Sequence, residues 1–276
     1  MKKKTSVLSN IYAVLVMVFL YAPIVVLIVF SFNEGKSMSV FTGFSLHWYK
    51  VLFDDRATLD AFKNTMIVAV VSSLVSTVIG TAAATAIYKY KTKWFKKGVL
   101  TVTNIPMMNP DIVTGISMML LFVFIGQILG KNDSLGLATV MIAHITFELP
   151  YVILNVLPKL RQTDRNLFEA AQDLGCPPLK AYFKVVLPAI LPGIVSGLVM
   201  AFTLSVDDFI ISYFVSGPTS QTLPIRIFSM TKKRVTPDMY ALSTLIFVAI
   251  FALMLISNFV GGKDKNAKKV KRGAAK

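Results

Sequence analysis

The chain has 276 residues, 55% hydrophobic and 16% charged, with a formal net charge of +15 and a mean hydropathy of +0.66. Soluble domains carry about a quarter charged residues, so an ordinary soluble domain is excluded and a membrane-embedded one is indicated. The single cysteine, Cys176, excludes an intrachain disulfide and a cysteine metal site. The basic excess reads as membrane orientation and attraction to anionic headgroups, not as nucleic-acid binding.

Charge is sparse in six apolar runs, each near the roughly 20 residues that a spanning helix needs. Backbone in lipid must satisfy its own hydrogen bonds, and these runs are too long and too uniformly apolar for barrel strands, so helices are expected. After a short segment, 1–10, the first run is Ile11–Phe30, which reads as a span rather than a cleaved signal. His47-Trp48-Tyr49 follows it, and Asn64–Tyr88 forms the second run. The third extends from about Gly98 to Gly130 and contains Pro106 and Pro110 just before Asp111. Prolines remove backbone donors and break helices. Asp111 lies about fourteen residues into that run, roughly 20 Å along a helix axis and past the bilayer centre.

Ser134–Pro158 is the fourth run and holds His144 and Glu148, spaced to hydrogen-bond one turn apart. The fifth runs from about Val185 to Leu223. In it Gly193, Gly197, Ala201, Ser205, Asp208 and Ser212 recur at helical spacing, which predicts one face, small for helix packing and then polar for a lined passage. Asp207 is rotated from Asp208 by about 100°, so one is expected to face the passage and the other a gate or partner subunit. Met239–Gly262 is the sixth run, and residues 263–276 form a basic, solvated tail.

Lys2–Lys4, the 89–97 loop, the 159–184 loop and the tail hold most of the 29 basic residues. With six crossings all four fall on one side, which predicts that both termini are cytoplasmic. Arg226, Lys232, Lys233 and Arg234 fall on the other side, in a longer loop that weighs less in this rule.

The intramembrane carboxylates carry the chemistry. Asp111, Asp207, Asp208 and Glu148 sit in apolar runs with no basic residue beside them. Each costs about 2.5–3.5 kcal/mol near a helix centre, so by default each marks a pathway. A cationic substrate is the direct complement to such acids. Asp111 has two open readings, a pathway carboxylate or a cap on the helix restart. Glu148 is expected to face the passage or a partner subunit. Trp48, Tyr49 and Tyr213 would offer cation–π faces at the outer mouth, although interfacial anchoring alone accounts for Trp48 and Tyr49.

The loop Arg165–Pro188 reads as a short helix with Asp164 as N-cap and Gly175 as its stop, then a turn at Pro177-Pro178 and a second amphipathic helix. Glu169-Ala170-Ala171, Gly175 and Leu187-Pro188 in this loop resemble the EAA loop of permease subunits in binding-protein-dependent ABC importers. Further matches resemble spermidine/putrescine importer permeases: His47-Trp48-Tyr49, Met108–Val113, His144–Phe147 with Leu149-Pro150, Ala170–Gly175, Phe202–Asp208 and Phe214–Pro218. Asn109 and Glu148 depart from the smaller or neutral residues expected there, and Pro177-Pro178 is an unusual continuation of the loop.

The resemblance implies an all-α type I ABC importer permease fold, with six spans over 11–262 and a coupling loop over 159–187. It implies that Glu169, Ala170, Ala171 and Gly175 form a coupling helix seated on an ATPase. The implied partners are a homologous second permease chain, two ATPase subunits, an extracytoplasmic binding protein, polyamine and membrane lipids. The chain would be half of an inner-membrane pore and not itself an enzyme. It has no GxxxxGK[ST] loop, so ATP and magnesium belong to the partner ATPase. Two alternatives are an ABC importer of another cationic or small solute and an ion-coupled secondary transporter using Asp111 and Asp207/Asp208. The latter leaves the EAA loop unexplained.

Overall fold

A computed structural model describes residues 7–36, 40–90, 92–130, 134–164, 166–232 and 237–252, with side chains from Asn10 onward. The N-terminal lysines, Lys91, Arg165, Lys233, Arg234, the last residues of the sixth run and the basic tail lie outside the described residues. The fold is all-α. Among the described residues the only β feature is an isolated antiparallel bridge between Asn33 and Phe44.

The helices in chain order are α1 (Val7–Ser31), α2 (His47–Asp54), α3 (Arg56–Lys89), α4 (Lys93–Met108), α5 (Asp111–Ile128) and α6 (Leu137–Gln162). There follow α7 (Asn166–Asp173), α8 (Pro178–Ala181), a π turn (Tyr182–Val186), α9 (Leu187–Asp207), α10 (Ile210–Val215) and α11 (Leu223–Thr231), then α12 (Pro237–Ala252). Asn10–Ser31, α3, α5, α6 and Pro178–Asp207 are long and apolar enough to cross a bilayer. The sixth run is represented by α12, whose apolar sequence continues to Gly262. This is compatible with six spans.

The chain divides into two compact units. In the first, formed by residues up to Leu59 with Ile227–Leu253, Asn33 organises the loop after α1. It is 1% exposed. Its carboxamide accepts from Thr42 N–H (2.8 Å) and donates to the Val40 carbonyl (3.0 Å). Its own carbonyl accepts the Trp48 indole N–H at 2.8 Å. Trp48 is thus a buried anchor of α2. Tyr49 places its hydroxyl 2.8 Å from Ser31 Oγ and its ring against Phe32. The most apolar window of α1 contains no buried residue.

The second unit spans Asp60–Arg226 among the described residues, and its frame is α6 packed along α9. Two glycines permit the approach. A Cβ on Gly193 would stand 2.7 Å from Lys159 Cγ, and one on Gly197 would stand 3.4 Å from Val152 Cα. Ala201 and Ser205 continue that buried face. Small residues let helix backbones come close enough for dispersion contacts that lipid cannot match.

Two expectations are corrected here. The run from Gly98 to Gly130 breaks at its prolines into two helices, as expected, but the restart puts Asp111 at a different depth. Pro110 pushes Asn109 out of the helical region to ψ 137°, and Asn109 Nδ2 then donates across the break to Thr114 Oγ1 at 2.9 Å. Asp111 is therefore the first residue of an 18-residue apolar helix. That helix is about 27 Å long, so Asp111 sits at one of its ends rather than past a bilayer midpoint. Its side chain is exposed and makes no cap bond to the restarting helix.

The fifth run is likewise interrupted. α9 ends at Asp207, Asp208 is extended (φ −65°, ψ 121°), and α10 restarts at Ile210. Gly193 to Ser205 do share a face. Asp208 and Ser212 do not continue it, because the helix that would have carried them stops. α10 packs back on α5 and α6. There a Cβ on Gly115 would meet the Phe214 ring at 2.9 Å, and Ile211 and Val215 join Val140 and Ala143 in a buried cluster.

Candidate functional site

The helix break after α9 gathers the acids into a buried polar network. Asp208 turns inward. Its Oδ2 accepts from Ser212 N–H (2.7 Å) and the Ser212 hydroxyl (2.8 Å), and its Oδ1 accepts from Ile211 N–H (3.3 Å). It thereby caps the restart of α10, the role that the sequence left open for Asp111. His144 Nε2 lies 2.9 Å from Ser212 Oγ and 3.4 Å from Asp208 Oδ2. Ser212 spends its proton on Asp208, so Nε2 carries a hydrogen and donates. A neutral ring then accepts at Nδ1 from the Ser205 hydroxyl, 2.6 Å away.

Ser205 Oγ also comes within 3.3 Å of Ser72 Oγ, a polar contact in which both hydroxyl protons are already committed to other acceptors. Ser72 and Ser76, one turn apart on α3, donate to the two oxygens of Glu148, each at 2.7 Å. Glu148 and His144 are both 0% exposed. The expectation that Glu148 faces a passage or a partner subunit is therefore corrected: it points into the interior of its own chain. Nor do His144 and Glu148 pair directly. Serines bridge them, because His144 directs both ring nitrogens toward Ser205 and Ser212.

Asp207 differs from its neighbour in every respect. It ends α9 with its side chain exposed. Tyr213, 46% exposed, lies one short helix away, with its ring centroid 5.5 Å from that of Phe209. An exposed carboxylate at the end of α9 can attract an ammonium group by charge, and the exposed Tyr213 ring on α10 offers a cation–π face. Trp48 belongs to the other unit, with its indole N–H committed to Asn33.

The EAA segment forms α7. Asp164 Oδ1 accepts from Asn166 N–H at its start (3.0 Å). At its end Cys176 N–H donates to the Ala171 carbonyl (3.1 Å) and Gly175 N–H to that of Gln172 (2.8 Å). This is a Schellman stop, which needs the left-handed φ of +80° found at Gly175. Glu169 and Ala170 are exposed, Ala171 is half-buried, and Leu174 is 89% exposed just beyond. The second helix of the loop runs through α8 and the π turn into α9, so α7 and the spanning helix are joined by one tight turn.

Sequence reading missed Ser72 and Ser76. A signal was present, since Ser72, Ser76 and Thr77 place hydroxyls on adjoining positions of an otherwise apolar helix. The π turn has no comparable sequence mark.

Residues 76–262 match the family model described as the binding-protein-dependent transport system inner membrane component. The chain belongs to this family and is a multi-pass membrane protein. It is 38% identical over 232 residues to the putrescine transport system permease protein PotI of Escherichia coli K12, covering 84% of this chain and 83% of that one. It is 36% identical over 259 residues to the spermidine/putrescine transport system permease protein PotC of Haemophilus influenzae, covering 94% and 98%. Its fold is similar to that of a chain in the crystal structure of a bacterial ABC transporter involved in alginate import, with TM-score 0.72, 17% identity and coverage of 92% and 95%. It is also similar to a chain of the MetNI methionine ABC transporter, with TM-score 0.57, 18% identity and coverage of 74% and 94%.

Proposed function

We propose that this chain is a transmembrane permease subunit of an ATP-driven polyamine importer, forming half of the pore and taking its energy from a partner ATPase. The observation that carries the reading is α7: a capped, outward-facing helix with the EAA residues, tied by one turn to the spanning helix α9. Displacement of α7 would be passed to α9 and so to the break at Asp207-Asp208. ATP and magnesium belong to the partner ATPase, and a second permease chain would complete the pore. The relatives named for putrescine and spermidine transport support polyamine as cargo, and a binding protein outside the membrane would deliver it. Both termini and α7 lie on the cytoplasmic side in this reading.

Within the break the two acids divide the work. Asp207, with Tyr213, is the cation contact. Asp208, His144, Ser205 and Glu148 hold the restarted helix in register with the core. Asp111, exposed at the start of α5, is a second carboxylate available along the path, and Trp48 serves by fixing α2. The test is reconstitution of this chain with its permease, ATPase and binding-protein partners in proteoliposomes. Putrescine or spermidine should stimulate ATP hydrolysis and accumulate inside. Uptake by this chain without an ATPase would overturn the coupling claim, and indifference to both polyamines would overturn the cargo.

A further inference from the structure

A second site lies apart from the acidic network. The C-terminal end of α3, the start of α4, the end of α6, α7 and the π turn line a half-open cavity of about 790 Å³, within the range of small-molecule pockets. Lys89, Lys93 and Lys96 line it. Among the described residues none of the three pairs with a carboxylate. Lys89 is held in place: its Nζ stands 4.8 Å from the centre of the Phe168 ring and 5.7 Å from that of Tyr182. Tyr182 is fixed in turn by its hydroxyl, 2.9 Å from Thr85 Oγ1. Asp164 and Glu169 are also at the wall, which leaves the lining with three positive charges against two negative.

We propose that this cavity binds a phosphate ester anion, with phospholipid headgroups of the adjoining leaflet as the nearest source. Ammonium groups at the ends of apolar helices lie at headgroup depth, where a basic pocket between helices meets anionic lipid. The aromatic wall suits the glycerol and acyl stem of such a lipid. Phe168 and Glu169 belong to α7, so a bound headgroup braces the coupling helix against α3 and α6. This regulatory consequence rests on the function proposed above, whereas the binding itself does not.

The binding test uses the full chain in nanodiscs of phosphatidylcholine alone or with phosphatidylglycerol, read by native mass spectrometry after gentle extraction. Wild type retains phosphatidylglycerol, and Lys93→Gln/Lys96→Gln retains about twenty-five-fold less, at roughly fivefold per lysine removed near a headgroup surface. This variant keeps Lys89 on its aromatic seat, so α7 stays folded, and circular dichroism and melting report that directly. In phosphatidylcholine-only discs, glycerol 3-phosphate is titrated in. Saturable binding there that the double variant loses supports the same chemistry with a soluble source. Equal retention of phosphatidylglycerol by wild type and variant, with no glycerol 3-phosphate binding, overturns the proposal. ATP hydrolysis by the reconstituted complex is measured alongside. If it proceeds but ignores phosphatidylglycerol, the brace fails while the permease reading stands. If no ATPase assembles, the permease reading fails while the binding result stands.

Discussion

Adjacent acids have opposite surroundings at the break after α9, and their substitutions should separate accordingly. Asp207 is exposed and outside the buried network, so Asp207→Asn should leave melting within about 0.5 kcal/mol of wild type, as surface changes do. The same change should cut polyamine uptake about tenfold or more, since a hydrogen bond to a charged group contributes roughly 1.5–3 kcal/mol. Asp208→Ala removes the acceptor for Ile211 N–H, Ser212 N–H and the Ser212 hydroxyl. A lost cap alone costs about 0.5–2 kcal/mol, so this variant should melt earlier whether or not substrate is present. Equal melting of the two variants would reject the division of roles. Glu148 gives a third contrast. Glu148→Gln keeps an acceptor and a shape that Ser72 and Ser76 can meet by turning their hydroxyls. Glu148→Ala strands two buried hydroxyls and leaves a void, at a cost of about 2–5 kcal/mol. Fluorescence-detected size-exclusion after graded heating should rank wild type, Gln and Ala in that order.

At the scale of elements, the coupling helix depends on a single backbone geometry. A Cβ added at Gly175 meets nothing within 4 Å, but the φ of +80° remains unfavourable to any L side chain. Gly175→Val should therefore leave the spans intact and loosen only the end of α7, at about 1–2 kcal/mol of local strain. The expected result is normal assembly, with ATP hydrolysis no longer matched by uptake. Normal coupling would show that the Schellman stop is dispensable. Gly193→Leu acts elsewhere: it drives a side chain into Lys159 and the Asn155 carbonyl and should abolish the α6–α9 packing, and with it the yield of folded protein.

These elements also show what was readable beforehand. Gly175, Asp164 and the small face of α9 were legible because capping and helix approach are local or periodic demands that a sequence displays. The split of the third run was half legible: the prolines announced a break, but where the helix would restart, and hence the depth of Asp111, depended on Asn109 bridging to Thr114. The inward turn of Asp208 was not legible. Helical periodicity assigns it to a face only if the helix continues, and its inward seat includes His144 on α6, which is distant in sequence. The same holds for Glu148, whose seat is made by Ser72 and Ser76, more than 70 positions away.

For the whole molecule, the decisive property is orientation, which the proposed function requires and which one native residue can report. Cys176 is the only cysteine in the sequence, it is free and half-buried, and it sits at the end of α7. Positive charge in the loops after the second and fourth spans, at 89–97 and 159–184, assigns α7 to the cytoplasm. The opposing cluster at Arg226 and Lys232 argues the other way, so charge counting alone is divided. A membrane-impermeant maleimide applied to intact cells should leave Cys176 unmodified, and applied to inside-out vesicles it should label it. Co-expression with an ATPase partner should then protect the thiol in those vesicles, because the surface that docks the ATPase includes the end of α7. Labelling from intact cells would place α7 outside and remove the basis for ATP coupling. Labelling in inverted vesicles without protection by the ATPase would keep the topology but move the docking surface away from α7.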